Sequence, residues 1–589
     1  MKSFKRKFLK ANKGITLVAL VVTIIVLLIL AGVAITTLTN DNGIIQRAIK
    51  TKDNLNLAGI KEEVRLVISS REINEKSKLT NKTLKEDLEN DLEGQKTITE
   101  VNELKDVCYV TRDGIELTVY EDGEIYEGKV SVWDGSTVEC PEFRKENNVF
   151  NWNIYTAGQL KFLADFVNNG NTLTSEQQTL VTNAGYQIED VSMTTETIIS
   201  LKNNIDLGAR EEGGSWETTA NESKKWTPIG KVRANVEGIL GKVEGNNYTI
   251  RGMYVNEGNA GQNGLFGCAN SINELNIMNC FVKGGQVTGG LVGRVVSGTI
   301  ENCKLSCVEV KGTGNFMGGI VGSFSIGDGI KNCTMEKGSV EGVNCVAGIV
   351  GAIFPSNGIV ENCHNKSIVV ATGFSVGGIV GQAANSIIKD SSNSARVSTS
   401  GYNESNKTSM CGGVVGGCYY ASVSNCWNTG DVYAVGKEVG GISGMQGYGT
   451  VSTMLENCYN TGRIESSNYG LVGGISGYLT GNSTIKYTHN LGTIQKNSVV
   501  SEGAGGIAGE VVKTCLVTNS YNKGAIIGSQ NVGAIIGKNS SSKTSSNCYY
   551  LNSLNLKAVN GADDEDNNMI GIPNNFNSLK EFLNWLEEQ

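Results

Sequence analysis

The 589-residue chain holds 75 glycines, 4 prolines and 15 cysteines, and its formal charge is −8. That acidic balance excludes a nucleic-acid partner recruited by bulk charge. The length allows several domains.

Residues 1–13 form a basic leader carrying Lys2, Lys5, Arg6, Lys7, Lys10 and Lys13. Residues 14–40 carry no charge, and Ile15 to Leu38 is overwhelmingly apolar. As a helix that run would extend about 36 Å, enough to cross a bilayer core. Basic residues before the span and the bulk of the chain after it predict a single-pass membrane protein with its large domain outside the cell. The residues alone leave three readings. One is a cleaved secretory signal ending near Ala31-Gly-Val-Ala34, although the apolar run is long for that role. The second is a plain anchor. The third rests on a resemblance: Lys13-Gly14-Ile-Thr-Leu-Val-Ala-Leu20 resembles the leader junction of type IV prepilins. The resemblance implies a prepilin peptidase cutting between Gly14 and Ile15, and other pilin-like subunits as partners. It also implies a glutamate five residues after the cut, pairing with a neighbour's amino terminus, where this chain has Ala19. That departure points to a minor pilin-like, pilus-associated subunit or to an uncut anchor.

Residues 41–128 read as a helix plus a small β-sheet. Ile60, Val64 and Val67 recur at helical spacing, and a second short helix is expected around Leu84 to Leu92. Between Val107 and Tyr126, β-rich runs are split by the turn signals Arg112-Asp-Gly114 and Glu121-Asp-Gly123. A long helix followed by a small antiparallel sheet is also the plan of pilin heads. Residues 129–150 read as a linker. Residues 151–263 read as an N-terminal cap and the first coils of a repeat. Within them Thr156-Ala-Gly-Gln159 is a capping-box pattern opening a helix with Leu160, Leu163, Ala164 and Val167 on one face and Gly170 at its end.

Residues 264–550 repeat a glycine-framed aliphatic block, first as Gly264-Leu-Phe-Gly267 and then as Gly289-Gly-Leu-Val-Gly293. The closing glycines fall at 267, 293, 322, 351, 381, 416, 444, 477, 509 and 537. A period near thirty residues, sustained ten times, is the mark of stacked repeats. Two positions before the closing glycine the residue is aliphatic, as in Leu291, Ile379 and Ile442. One position before it the residue relaxes to Ser443, Ser476 or Ala508, which predicts an inward and an outward neighbour. The glycines are expected to supply corner conformations that a Cβ resists. A second block follows in each repeat, as in Ile300-Glu-Asn-Cys303, Ile330-Lys-Asn-Cys333 and Val360-Glu-Asn-Cys363. The expected fold is therefore mainly β: a parallel β-helix of about ten coils, preceded by a transmembrane helix and a small α+β pilin-like region. Coils stacked about 4.8 Å apart would make a rod on the order of 45 Å long. Residues 551–589 read as a C-terminal cap, with a helix from Ser578-Leu-Lys-Glu581 presenting Leu579, Phe582, Leu583 and Leu586. The glycine blocks, with the Thr156 segment and Trp226-Thr-Pro-Ile-Gly230, resemble GLUG-motif proteins across residues 151–550. That family comprises bacterial surface proteins and the non-catalytic regions of some secreted peptidases.

The residues that carry chemistry elsewhere fall into repeat columns here. Cys280, Cys303, Cys333, Cys363, Cys426, Cys458 and Cys548 share one column with Ser391, Thr488 and Ser520, which asks for a small, weakly polar side chain. No Cys-x-x-Cys pair occurs, so neither zinc nor a disulfide framework is expected. The two histidines, His364 and His489, align with Ser392, Trp427, Tyr459, Tyr521 and Tyr549, which predicts a stack of flat side chains. Asn365, Asn393, Asn428, Asn460, Asn490 and Asn522 fill the next column and predict a hydrogen-bonded ladder. Each histidine is followed by Asn, which removes a His-Glu-x-x-His peptidase. Asp328, Asp390 and Asp431 fall in different columns rather than clustering as carbohydrate-cleaving carboxylates would. Asp563-Asp-Glu-Asp566 lacks the glycine and distal glutamate of a calcium loop. No catalytic residue, metal or cofactor is assigned. The function expected is a non-enzymatic bacterial cell-surface protein displaying a β-helical rod for adhesion or surface interaction, its glycan or protein ligand unidentified. The alternatives are a lyase or glycosidase on the same scaffold, or the non-catalytic part of a secreted peptidase system.

Overall fold

The computed structural model describes residues 57–69, the strands between 97 and 127, and residues 128–559 apart from short stretches such as 211–215, 217–219 and 231–237, with a last strand at 569–572. The expected membrane span at 14–40, the short helix at 84–92, the acidic run at 563–566 and the helix from Ser578 lie outside the described residues. So does the Gly14–Ile15 junction. Among the described residues no helix is long and apolar enough to cross a membrane. The chain divides into two compact units, Met1–Lys129 and Val130–Gln589.

In the first unit, residues 57–69 form a helix. Ile60, Val64, Val67 and Ile68 recur at three- and four-residue intervals, so they share one face. That face is buried with Cys108, Val110, Leu117, Val119 and Ile125. These five come from a four-stranded antiparallel meander of Thr97–Asn102, Val107–Arg112, Ile115–Tyr120 and Ile125–Glu127. Gly123, at φ 83, makes the last turn, as its Asp-Gly signal indicated.

The second unit opens with a cap, and here one expectation is corrected. Residues 129–150 are not a linker. Val132 bridges to Asp206, Trp133 sits edge-on to Trp226 at 5.8 Å, and Glu142–Glu146 forms an antiparallel hairpin with Val149–Ile154. The apolar residues of this stretch bury singly rather than in a periodic run, so no pattern announced them. The helix Ala157–Asn168 starts as expected: the Thr156 hydroxyl accepts the Gln159 N–H. The Gln159 side chain reaches one residue further back than a capping box requires and accepts the Tyr155 N–H at 2.7 Å. A second helix, Ser175–Asn183, follows the first. It has a complete Thr174/Gln177 capping box, and buried Gln177 donates to the Phe162 carbonyl at 2.8 Å.

Beyond the cap each coil lays strands on three faces. A short face carries ten strands, from Gln262–Asn263 to Val532–Gly533. A bent face takes two strands per coil, such as Val292–Val295 and Thr299–Glu301. A broad face takes one long strand in early coils, such as Lys304–Gly312, and two short ones later, such as Trp427–Asn428 and Val432–Ala434. Every pairing between coils is parallel, and apart from irregularities such as those at 336–339 and 408–411 the repeat stays in register, as in Val292 with Val321 and Val321 with Val350. One continuous core runs from the cap helix through all ten coils.

The corner between the short and bent faces corrects two more expectations. Ser443, Ser476 and Ala508 are not outward; all are fully buried, as are Val292 and Val380. The chain turns between the two residues before the closing glycine, so strand alternation restarts there. The N–H groups of Ile379 and Val380 both donate to the Val414 carbonyl, at 2.9 and 3.0 Å, and both side chains enter the core. The closing glycines are required for a different reason than conformation. None of the ten has a left-handed φ. A Cβ at Gly351 would instead lie 2.7 Å from both the Gly322 carbonyl oxygen and the Met317 nitrogen. Backbone passes against backbone at this corner, and nothing flexible is there to yield.

Ile379→Asp and Ser443→Asp are therefore expected to be comparably severe, each costing about 3 kcal/mol or more because an isolated charge enters the core. Ser443→Ala should cost only about 1 kcal/mol, the usual scale of one hydrogen bond. Urea denaturation followed by circular dichroism measures all three. A Ser443→Asp protein as stable as the parent would place that side chain outside the core.

Candidate functional site

The site is built from columns that the coil spacing creates and from the places where a column is interrupted. At the corner between the bent and broad faces, Asn302, Asn332, Asn362, Asn425, Asn457, Asn519 and Asn547 all adopt φ between 48 and 55. Asparagine tolerates this left-handed region better than other side chains with a Cβ. The exposed amides continue from coil to coil, Asn332 donating to Asn302 at 3.0 Å and Asn362 to Asn332 at 2.9 Å.

The turn leaves the carbonyl before each asparagine facing inward, and the next residue caps it. The Cys303 thiol donates to the Glu301 carbonyl at 3.2 Å, Cys333 to Lys331 at 3.1 Å, and Cys458 to Glu456 at 3.1 Å. Where the column holds serine the bond shortens, Ser391 donating to Lys389 at 2.8 Å and Ser520 to Thr518 at 2.9 Å. The same side chains accept a backbone N–H from the neighbouring coil, as Ser391 does from Cys363 at 3.1 Å and Cys458 from Cys426 at 3.4 Å. This is why Cys, Ser and Thr interchange: each can both donate and accept in a small space. All fifteen cysteines are free thiols. Burial pushes Cys280 and Cys548 up to about 12, so they stay protonated and poorly nucleophilic.

The next two columns follow the same logic. Trp427, Tyr459, His489 and Tyr521 stack with centroids 6.1, 5.1 and 4.9 Å apart and planes within 8°. Burial lowers His489 to about 4, so it is a neutral ring in a stack. His364 lies tilted against Trp427, and its Nδ1 is 2.8 Å from the Ser392 hydroxyl. Inside the corner Asn365, Asn393, Asn428, Asn460, Asn490 and Asn522 form a buried ladder, each amide donating to the next at 2.8 to 2.9 Å. Each of the six also donates to the carbonyl two residues on, as Asn428 does to Gly430 at 2.7 Å. Among the described residues no group of three His, Cys, Asp or Glu side chains stands close enough to hold a metal ion.

Glu438 interrupts the pattern, and the sequence columns did not mark it. The residue leading into the short face is left-handed in four successive coils: Cys345, Ser375, Met410 and Glu438, at φ 50, 60, 42 and 67. Three are uncharged and the fourth is a glutamate only 7% exposed. Its Oε2 is buried without a hydrogen-bond partner. Desolvation raises its carboxyl to about 8; Lys437 lowers it and Glu510 raises it further. The Glu438 charge is also felt at Tyr419 and Tyr478, two phenols whose own pKa values burial raises. Tyr419 donates to the Met410 sulfur at 3.2 Å and meets Tyr448 edge-on at 5.5 Å. Nearby charges are already paired, Lys437 with Glu502 at 2.8 Å and Lys538 with Glu510 at 2.8 Å. The signal that would have found this site is Lys437-Glu-Val-Gly-Gly441, an acid where other repeats put Cys, Ser or Met.

The model of the GLUG motif matches residues 372–398, which span one short-face strand, the closing glycine Gly381 and the Ser391–Asn393 corner. Halomucin of Haloquadratum walsbyi (strain DSM 16790 / HBSQ001) is 30% identical over 171 residues, or 26% of this chain. The chain spans about 2% of the length of that relative. A crystal structure from Bacteroides ovatus, described as a candidate immunoglobulin A1 protease, aligns with 67% of this chain and 84% of its own at 15% identity and a TM-score of 0.26. That superposition is too loose to bear on this chain.

Cys363→Ser should keep the fold and the carbonyl cap, whereas Cys363→Ala should cost about 1 to 2 kcal/mol by freeing the Glu361 carbonyl. Mass spectrometry of the unreduced protein should find no Cys333–Cys363 bridge. The Glu438 carboxyl keeps its proton when folded up to about pH 8 but loses it near 4.5 when unfolded. The unfolded state then binds fewer protons, so stability should fall between about pH 4.5 and 8 and be independent of this group above that range. Glu438→Gln should flatten that decline in a series of urea melts. Parallel slopes for the two proteins would mean that Glu438 ionises freely in the fold.

Proposed function

We propose that the chain is a non-enzymatic bacterial surface protein, held by its apolar amino-terminal segment, that displays the solenoid for adhesion or surface interaction. One observation carries the reading. Along the solenoid the cysteine, histidine and asparagine columns are engaged in holding the stack, which leaves the outer faces as the part free to vary. The GLUG match at residues 372–398 and the partial likeness to halomucin support a repeat of the surface type. The leader adds the finer reading. A peptidase cut between Gly14 and Ile15 would release an apolar helix of pilin type, and Ala19 favours a minor or membrane-held component over a major filament subunit. The unit that follows, a helix packed on a four-stranded meander, suits such a head.

Amino-terminal sequencing of membrane-extracted protein tests this. A start at Ile15 is expected, and Gly14→Leu should retain the basic leader. Protease treatment of intact cells should remove the solenoid from the surface. A start after Ala34, with the protein in the medium, would overturn the tethered reading.

A further inference from the structure

The two strands of the bent face are joined in each coil by a link, and the links of five successive coils lie one above another because their flanking strands pair. Residues 352–360, 382–388, 417–426, 445–455 and 478–485 contain these links, and none of them is Asp, Glu, Lys or Arg. Charge returns on either side, with Asp328 in the coil before and Glu510 and Lys513 in the coil after. Within this uncharged strip Phe354, Ile387, Tyr420, Tyr448 and Val451 are 37 to 53% exposed. At about 4.8 Å per coil the strip runs roughly 20 Å along the stack. Exposed apolar side chains gathered in one patch mark interaction sites.

The rings of the strip are held in place by the fold itself. Tyr420 has φ 59 at a position where the two preceding coils use Asn357 at φ 54 and Asn385 at φ 50. Asparagine suits that conformation, and Asn385 donates to Asn357 at 2.9 Å. Tyrosine gives up both the tolerant backbone and a rung of the amide ladder, and strain kept where the scaffold has an easier residue points to function. The Tyr420 ring meets Tyr448 edge-on at 5.7 Å, and its hydroxyl packs so close to Gly449 that a Cβ there would stand 3.0 Å away. Tyr419 also meets Tyr448 edge-on, at 5.5 Å, and Phe316 holds Phe354 in the same way at 5.3 Å.

We infer that this strip binds an uncharged, extended glycan of β-1,4-linked pyranose units laid along the stack, with ring faces on Phe354, Tyr420 and Tyr448. A charged polymer would be drawn from water onto a surface that offers no counter-charge over five coils, which selects for a neutral one. The apolar side chains stand among the amides and hydroxyls of Asn385, Ser422, Thr450, Ser452 and Asn482. Apolar and polar groups therefore alternate, as the faces and edges of a pyranose ring do. The β-1,4 linkage keeps the rings in an extended ribbon, which a strip running along the stack can follow. A protein partner fits less well, because five partly exposed side chains fall short of the about 800 Å² that each side of a stable protein pair buries. The inference rests on the reading of the solenoid as a displayed surface and adds to it the ligand class and the face.

Calorimetry of the detergent-solubilised full chain tests it, with β-1,4-linked hexamers of glucose and of N-acetylglucosamine, and with hexamers of glucosamine and of 1,4-linked galacturonate as charged counterparts. At least one uncharged hexamer is expected to bind, about tenfold or more tightly than either charged one, with an affinity that added salt leaves unchanged. Tyr448→Ala should weaken that binding by about fivefold or more, the scale of one stacked ring. Tyr420→Asn should weaken it similarly while leaving the urea midpoint unchanged or higher, since it restores the residue of the preceding coils. Tyr487→Ala, which removes an exposed tyrosine outside the strip, should leave binding as it is. Failure of both uncharged hexamers to bind, preference for a charged hexamer, or binding indifferent to both strip variants would overturn the inference. Such a failure leaves surface display intact, which stands or falls on protease removal of the solenoid from intact cells.

Discussion

Each coil can satisfy its main chain only through the coils on either side. Many of its strands are two to four residues long, too short to persist alone, and their N–H and C=O groups point along the stack. The pairing is parallel and in register, so a residue meets its own equivalent in the next coil, Asn428 on Asn460 and Tyr459 on His489. Every other feature follows from that constraint. Side chains become columns, and a column survives only if its members tolerate themselves as neighbours: amides that donate and accept in one line, rings that lie flat, thiols that cap one carbonyl and receive one N–H. The glycine corner follows as well, because a tight coil brings backbone against backbone where the short and bent faces meet.

Repetition also creates a hazard. If every coil were alike, a slip by one repeat would cost little. Charged outer positions break that degeneracy. Glu336 is flanked by Lys304 and Lys366 from the adjacent coils at 2.7 and 2.8 Å. Glu361 pairs with Lys389, and Glu456 with Lys486, at 2.7 and 2.9 Å. Each exposed pair is worth little in stability. A slip would set lysine on lysine, so their weight lies in discrimination between registers. The amino-terminal end is managed by bulk instead: Phe162 and Phe166 of the cap helix join the core that the coils continue.

The stack was legible in the sequence because a column is a spacing, and spacings survive without coordinates. The period, the count of ten, the flat-ring column and the Asn365 ladder all follow from lining up residues on Gly267 and its equivalents. Direction at a corner was not legible. Ile379 and Val380 look like alternating neighbours, yet the chain bends between them and buries both. The role of the closing glycine was misjudged for a related reason: a glycine needed for contact and one needed for φ leave the same letter. Residues 129–150 escaped because buried Trp133 and half-buried Phe143 are isolated apolar positions outside any period. Glu438 escaped because column reasoning averages over repeats, and a single exception is what an average removes.

Exceptions are then the informative positions, and they differ in what they cost. Asp390 replaces asparagine in the left-handed corner column and still accepts from Asn425 at 2.9 Å, so the ladder absorbs it. Tyr487 stands in the same column at φ 55, but its ring is 54% exposed, with the Lys486 ammonium 5.5 Å from its centroid. It costs backbone strain and no desolvation. Glu438 combines the strain of a left-handed side chain with a buried, unpartnered oxygen, and the surrounding lysines are already paired. A uniform solenoid has no reason to hold such a group, since serine or methionine fills the position in preceding coils with the same left-handed backbone but without a buried, unpartnered oxygen. The ranking by unrecovered cost therefore separates substitutions the scaffold absorbs from the one whose cost it does not recover.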